Sequence, residues 1–456
     1  MELTMEKTRA RARRRRIPTT RRERWAWYFY DFGNSAYAAV VLLAVYSAYF
    51  KGQVVGGSEG TRLWGVSVGI AMLVVALLSP ILGTLADYTA SKKKYLFIFS
   101  SMAIVFTAAL FFVQPGNIFI GMLFFILAEI GYRSGQVFYN ALLGDIAGPH
   151  EMSRVSGNGW AIGSAGGIVC LLVVLPMIVL IGGTFVVRIA FLITAAFYLA
   201  SSIPIFIWLR ERAEPQPLPE KTHVLPLAFR RLADTFKAIR NYKELVKFIV
   251  AFLVFNNGIM MTLDFAAIIG ATLFGMTQTQ LIIFVIIVQI TSVLGAFLFG
   301  KLAGRWSSKY SLIIALVMMI VAVALLFIVD SLVMFNVIGA LAGFALTGVQ
   351  SVSRTMIGQM APEDRSTEFY GFFSVAGQIS AFIGPALYGF VAAGAAVWYE
   401  NQGMAVIPAE QTGMRVAVIA MVVFLTLGLV LTFSVKKPEL MAAEPPAEPT
   451  PQPSQG

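Results

Sequence analysis

The sequence predicts an all-α membrane protein that crosses the bilayer twelve times, and three observations carry that expectation. Hydrophobic residues make up 58% of the 456 positions and charged residues 13%, with a mean hydropathy of +0.76. Soluble domains need about 25% charged residues to cover their surface, so most of this chain's surface is expected to avoid water. Apolar runs of about twenty residues recur along the chain, the length that spans about 30 Å at 1.5 Å per residue. Basic residues fall almost entirely between alternate runs, the pattern of loops kept on one side of a membrane.

The runs lie at about 25–50, 63–86, 95–113, 118–143, 156–181, 184–208, 246–272, 279–302, 311–329, 331–356, 369–393 and 413–434. The first is not a cleaved signal peptide: it is too long, it contains Asp31, and no A-x-A site follows a short apolar core. An even number of spans puts both termini on one side. Of the 35 Lys/Arg, 30 lie in the N-terminal arm, alternate loops and the tail. The other side has Lys51, Arg62, Arg188 and Arg415, and Arg133 lies within a span. Both termini are therefore expected to be cytoplasmic.

Five segments follow. Residues 1–24 form a basic cytoplasmic arm, and 25–208 a first six-helix bundle. Residues 209–245 form a cytoplasmic linker in which Pro215, Pro217 and Pro219 precede an amphipathic stretch, Leu227 to Leu245, expected to lie on the membrane surface. Residues 246–435 form a second bundle, and 436–456 a Pro- and Glu-rich tail expected to be disordered. The bundles read as parallel repeats. Gly83-Thr84-Leu85-Ala86-Asp87 has its counterpart in Gly300-Lys301-Leu302-Ala303-Gly304. A constant offset of 214 pairs Gln136 with Gln350, Gly144 with Gly358, Ala147 with Ala361, Gly157 with Gly371 and Gly163 with Gly377.

Several functions are excluded on composition. The net charge of +11 is concentrated beside the membrane, where it points to lipid headgroups as partners and not to nucleic acid. Cys170, the single cysteine, lies in an apolar run and offers neither a disulfide framework nor a thiol metal site. His150 and His223 fall in polar loops. There is no P-loop, no GxSxG elbow, no HExxH and no metal-spaced cluster, so no metal, no cofactor and no enzymatic activity are expected.

Ionisable groups inside spans each cost about 2.5–3.5 kcal/mol on insertion scales, so each needs a partner or a purpose. In span one, Asp31, Asn34, Ser35 and Ala38 share one helical face, with Asn34 about 14 Å past Trp25 and so near the midplane. Span four carries Glu129, Arg133, Gln136 and Asn140 along one stripe, with Glu129 in the favourable orientation four residues before Arg133. The pair either neutralises itself or faces a wet cavity as a switchable ion pair. In the second bundle Asn256, Asn257, Gln289 and Gln378 lie near the midplane, and Asp264 nearer the outer mouth. These amides are either interhelical glue or solute contacts. The expected pathway is thus Asp31, Asn34, Glu129, Arg133, Gln136, Asn256, Asn257, Gln289 and Gln378. The expected gating residues, near the cytoplasm, are Asp87, Lys92, Asn140, Asp145, Gln350 and Arg354. Gly159, Gly163 and Gly167 repeat every four residues in span five, which lets helices approach closely.

The twelve spans, the six-plus-six division and the basic loop after Asp87 resemble the major facilitator superfamily. Tyr30-Asp31-Phe32-Gly33-Asn34-Ser35-Ala36-Tyr37 resembles the signature of its vacuole-effluxer-like family. The segment Tyr139 to Ala147, Arg154-Val155-Ser156-Gly157, and Gly348 to Arg354 are similar to that family as well. The resemblance implies a major facilitator fold and, from fungal members, export of amino acids. Val137 stands where the superfamily's span-four element has glycine, and Ser164 where its antiporter motif has proline, which weighs against proton antiport.

The sequence is thus read as a transporter of the bacterial inner membrane, acting as a monomer by alternating access on a small solute, with a proton as candidate co-substrate. Two other classes compete. A receptor or assembly protein on a transporter scaffold would look similar, although the short tails give it no signalling domain. A lipid-modifying enzyme lacks a nucleophile–base pair.

Overall fold

The computed structural model describes residues 19–89, 91–147, 149–212, 242–360 and 366–436. Among these residues twelve helices are long and apolar enough to cross a membrane. In chain order they are α1 (Arg21–Val55), α2 (Gly57–Thr89), α3 (Lys92–Ala109), α4 (Ile118–Ile146), α5 (Pro149–Leu180) and α6 (Gly183–Trp208). After the linker come α7 (Lys243–Phe274), α8 (Gln278–Arg305), α9 (Ser308–Leu325), α10 (Leu332–Met360), α11 (Ser366–Asn401) and α12 (Val406–Phe433). The N-terminal arm before residue 19, most of the linker with its amphipathic stretch, and the tail after 436 lie outside the described residues.

Local chemistry sets the helix ends. Thr20 and Glu23 close a capping box, so α1 starts at Arg21 and not at the first apolar residue, Trp25. Thr277 and Gln280 repeat the device at the start of α8. Between α7 and α8, Gly275 turns the chain at φ 62°, a conformation that disfavours a side chain. Helices α1 and α11 run longer than the apolar runs 25–50 and 369–393.

In the first half α1 packs on α5 and α6, α3 on α4 and α6, and α2 on α4. In the second half α7 packs on α11 and α12, α8 and α9 on α10, and α11 on α12. The offset of 214 holds at helix scale: α4 and α10 are both 29 residues, and 332 and 360 lie 214 past 118 and 146.

The halves meet chiefly where α2 runs along α11 and where α5 meets α8. The α2–α11 crossing is tight at the end of the bundle opposite the termini. A Cβ on Gly65 would strike the carbonyl of Pro385, and one on Gly69 would lie 3.3 Å from Ala386. At the same end Lys51 of α1 forms an ion pair with Glu410 of α12, both side chains 10% exposed. Gln278 donates to the Ala44 carbonyl at 2.6 Å, and the Trp64 indole to the Asp264 carbonyl at 2.8 Å. Each of these contacts joins one half to the other.

Candidate functional site

The residues of interest on α1 precede a change in winding. Arg21–Tyr37 is regular α-helix, whereas Ala38–Ala44 and Phe50–Val55 widen into π-wound turns. Such insertions re-aim neighbouring side chains and recur at functional positions. Tyr46 and Tyr49 anchor the altered segment by donating to the carbonyls of Gly121 and Val113 at 2.8 and 2.9 Å.

On α4 the expected pair is made. Arg133 Nε donates to Glu129 Oε1 at 2.7 Å; the Glu129 side chain is 1% exposed, that of Arg133 38%. The guanidinium also lies over the Tyr132 ring, 5.2 Å from its centroid. A guanidinium so accessible in mid-span needs water around it. Tyr37 packs on Tyr132 with ring centroids 4.7 Å apart and brings its hydroxyl beside Glu129. Gln136 lies beside Tyr132 one turn on. Across the interface, Asp264 of α7 faces the same guanidinium. The Asp264 carbonyl accepts the Trp64 indole N–H, which keeps the residue towards the end of the bundle opposite the termini while its charge acts on Arg133.

Asp31 and Asn34 lie one turn away. The Asn34 amide is buried beside the Asp31 carboxylate without a well-formed bond to it. Helix α5 leaves room for this carboxylate: a Cβ on Gly163 would collide with it, and one on Gly166 would overlap the Phe32 carbonyl. The glycine stripe of span five therefore packs against α1 within its own half. At Gly167 it also reaches the Gln289 amide of α8, whose Nε2 is buried without a partner.

The remaining candidates sit apart from this cluster. Gln350 donates to Asn256 Oδ1 at 2.9 Å, tying α10 to α7. Asn257 donates to the Leu253 carbonyl of its own helix at 2.6 Å. Gln378 has a buried carbonyl oxygen without a partner. Asn140 and Arg354 are exposed. Lys92 bonds Asp145 at 3.0 Å, and Arg212 joins the group through Asp145 and through Glu23 at 2.9 Å. This lattice braces α1, α3, α4 and the end of α6 within one half; among the described residues it makes no bond to the second half. The side chain of Asp87 lies outside the described residues.

The sequence carries no signal of the Lys51–Glu410 pair, because both charges lie beyond the ends of the apolar runs 25–50 and 413–434. Nor does it mark the hydroxyl cluster in which Tyr30 meets Ser100 at 2.7 Å and Tyr198 at 2.9 Å. Tyrosine in an apolar run gives no signal of its partner. Among the described residues no group of three or more His, Cys, Asp or Glu is placed to hold a metal. A cavity of about 70 Å³ among α7, α8, α9 and α10 has no charged residue in its lining.

Twelve helices in two packed halves, with charged side chains where the halves face each other, define a transporter of the major facilitator type. Solved structures share the fold. A point mutant of the nucleoside transporter NupG aligns with a TM-score of 0.68 at 16% identity, covering 91% of this chain and 98% of that one. A bacterial homologue of the human lysosomal transporter Spinster, inward-facing and unoccupied, aligns at 0.67 and 15%, covering 93% and 98%. The chain is 28% identical over 379 residues to an uncharacterized MFS-type transporter, YxiO, of Bacillus subtilis, covering 81% of this chain and 87% of that one. It is 26% identical over 292 residues to autophagy-related protein 22 of Yarrowia lipolytica, covering 58% of this chain and about half, 49%, of that relative's length. The model of the family described as "Vacuole effluxer Atg22 like" matches residues 64–439, and the chain belongs to that family.

Proposed function

We propose that this transporter carries a small zwitterionic solute, with amino acids the leading class, through a pathway between its two halves by alternating access. The observation that carries the reading is the Glu129–Arg133 pair, whose Glu129 side chain is buried and whose Arg133 side chain is 38% exposed, with Asp31 near the adjoining Tyr132. With Nε held by Glu129, the two terminal nitrogens of Arg133 remain as donors for a solute carboxylate. Asp31, which has no ion-pair partner among the described residues, offers its charge to an ammonium. A zwitterion meets both demands; a sugar or a simple cation meets one. Asn34 and Gln289, each with a buried amide atom lacking a partner, supply further polar contacts.

With both termini in the cytoplasm of a bacterial inner membrane, the contacts between halves close the outer end in the conformation described here. A monomer holds the whole pathway. The test is counterflow of radiolabelled amino acids in proteoliposomes with wild type, Arg133→Lys and Asp31→Asn. Uptake by wild type that both variants lose supports the reading. Wild-type-like uptake by both variants moves the pathway to Asn257 and Gln378, and no uptake of any amino acid removes the substrate class.

A further inference from the structure

Asp31, Asn34 and Ser35 stand within one turn on a single face of α1, and that face meets α5 at its glycine stripe. A Cβ on Gly163 would collide with Asp31 Oδ2 and lie 3.0 Å from Ser35 Oγ, so both oxygens border the gap that this glycine leaves. Asn34 is 1% exposed, and neither its Oδ1 nor its Nδ2 has a hydrogen-bond partner. The Ser35 carbonyl accepts the Ala38 N–H where α winding gives way to π winding. It faces α5 too, 3.2 Å from where a Cβ on Gly167 would sit. Asp31 and Ser35 are partly exposed, which leaves the gap a way in.

We propose that Asp31 Oδ2, Asn34 Oδ1 and Ser35 Oγ form a sodium site between α1 and α5, completed by water. A carboxylate within a span needs a cation beside it, and among the described residues no Lys or Arg pairs with Asp31. Carboxylate, amide and hydroxyl oxygens are the ligands that hard cations take. One carboxylate among neutral oxygens balances a single positive charge, unlike the acidic clusters that hold divalent ions. A gap that one methyl group would fill suits sodium better than the larger potassium ion. The ion also gives the buried Asn34 oxygen the partner that it lacks, and such an oxygen is costly to leave unpaired. Gly163 thus makes room for an ion, whereas Gly166 lets α5 pack on the Phe32 carbonyl.

The Asp31 carboxylate is also the group offered to a solute ammonium, so ion and solute displace each other. That exchange rests on the carrier reading; the site itself does not.

The test is equilibrium binding of radiolabelled sodium to the purified full-length protein in detergent, with choline chloride holding ionic strength constant. The expected result is saturable binding that Asp31→Asn abolishes and that Asn34→Ala and Ser35→Ala weaken. Gly163→Ala fills the gap and should lose binding, whereas Gly300→Ala, which meets nothing within 4 Å, should bind like wild type. Thermal melting in choline chloride separates loss of the site from loss of the fold, and Ser35→Ala removes a ligand without adding bulk. Absence of saturable sodium binding in wild type overturns the proposal, as does wild-type binding by folded Asp31→Asn. If sodium binds as expected but amino acids neither displace it nor undergo counterflow, the site stands and the substrate class falls. If counterflow succeeds without sodium binding, the site falls and the carrier reading stands.

Discussion

Arg133 and Glu129 were legible in the sequence because helical spacing alone makes them partners. Their value to the fold follows from burial: removing a guanidinium from a buried carboxylate leaves an uncompensated charge that costs about 3–5 kcal/mol. Arg133→Ala is therefore expected to lower the melting temperature in detergent, and the double variant Arg133→Ala with Glu129→Gln to recover most of the loss. Exchanging the two residues is expected to keep the fold and abolish transport, because the exchange reverses which charge is open to the cavity. Normal transport by the exchanged protein would make the pair structural. Asp264 was not legible as their neighbour, because spacing along a chain reports depth within a helix but not which helix of the other half stands opposite. At Asp31, replacement by Asn keeps shape and hydrogen-bonding capacity. Loss of transport at matched membrane levels would then show that the charge is required, and normal transport would reduce Asp31 to packing.

At the scale of helices, the repeat written in scattered identities became two helices of equal length in the same register, α4 and α10. A parallel repeat needs no more signal than that, since each half solves the same packing problem. The glycine stripe of α5 was also legible, but not its partner: glycine spacing shows that a face is narrow, not what fills it. The contact with α1 makes a sharp prediction. Gly166→Ala drives a methyl into the Phe32 carbonyl, whereas Gly300→Ala meets nothing within 4 Å. Overpacking of this kind costs about 1–3 kcal/mol, so Gly166→Ala is expected to melt several degrees lower and Gly300→Ala to melt like wild type. Equal melting of the two variants would mean that α5 and α1 do not approach so closely. The π-wound turns of α1 had no signature at all in its apolar run.

For the whole molecule, hydropathy was enough for twelve spans, because bilayer thickness acts on composition and not on detail, and the basic loops predict a sidedness that labelling tests. Single cysteines at Ser91 and Ser434 are expected to react only from the cytoplasmic side, and one at Gly57 only from outside; labelling of position 91 in intact cells would reverse the orientation. The Lys51–Glu410 pair is expected to act as a latch between halves. Lys51→Met leaves Glu410 without its cation, so that variant should raise reactivity of outer-end cysteines while Arg415→Met, in an exposed pair with Asp330, leaves it unchanged. Alternating access itself is tested most directly by spin-label distances in proteoliposomes. One label pair replaces Gln53 and Gln402 at the end opposite the termini, expected to be the outer one, and the other Lys94 and Lys301 at the end expected to face the cytoplasm. Across a pH titration with an amino-acid mixture present, the outer distance should lengthen as the inner one shortens. Two distances that stay fixed, or that change in the same direction, would contradict a carrier whose halves rock about the charged cluster.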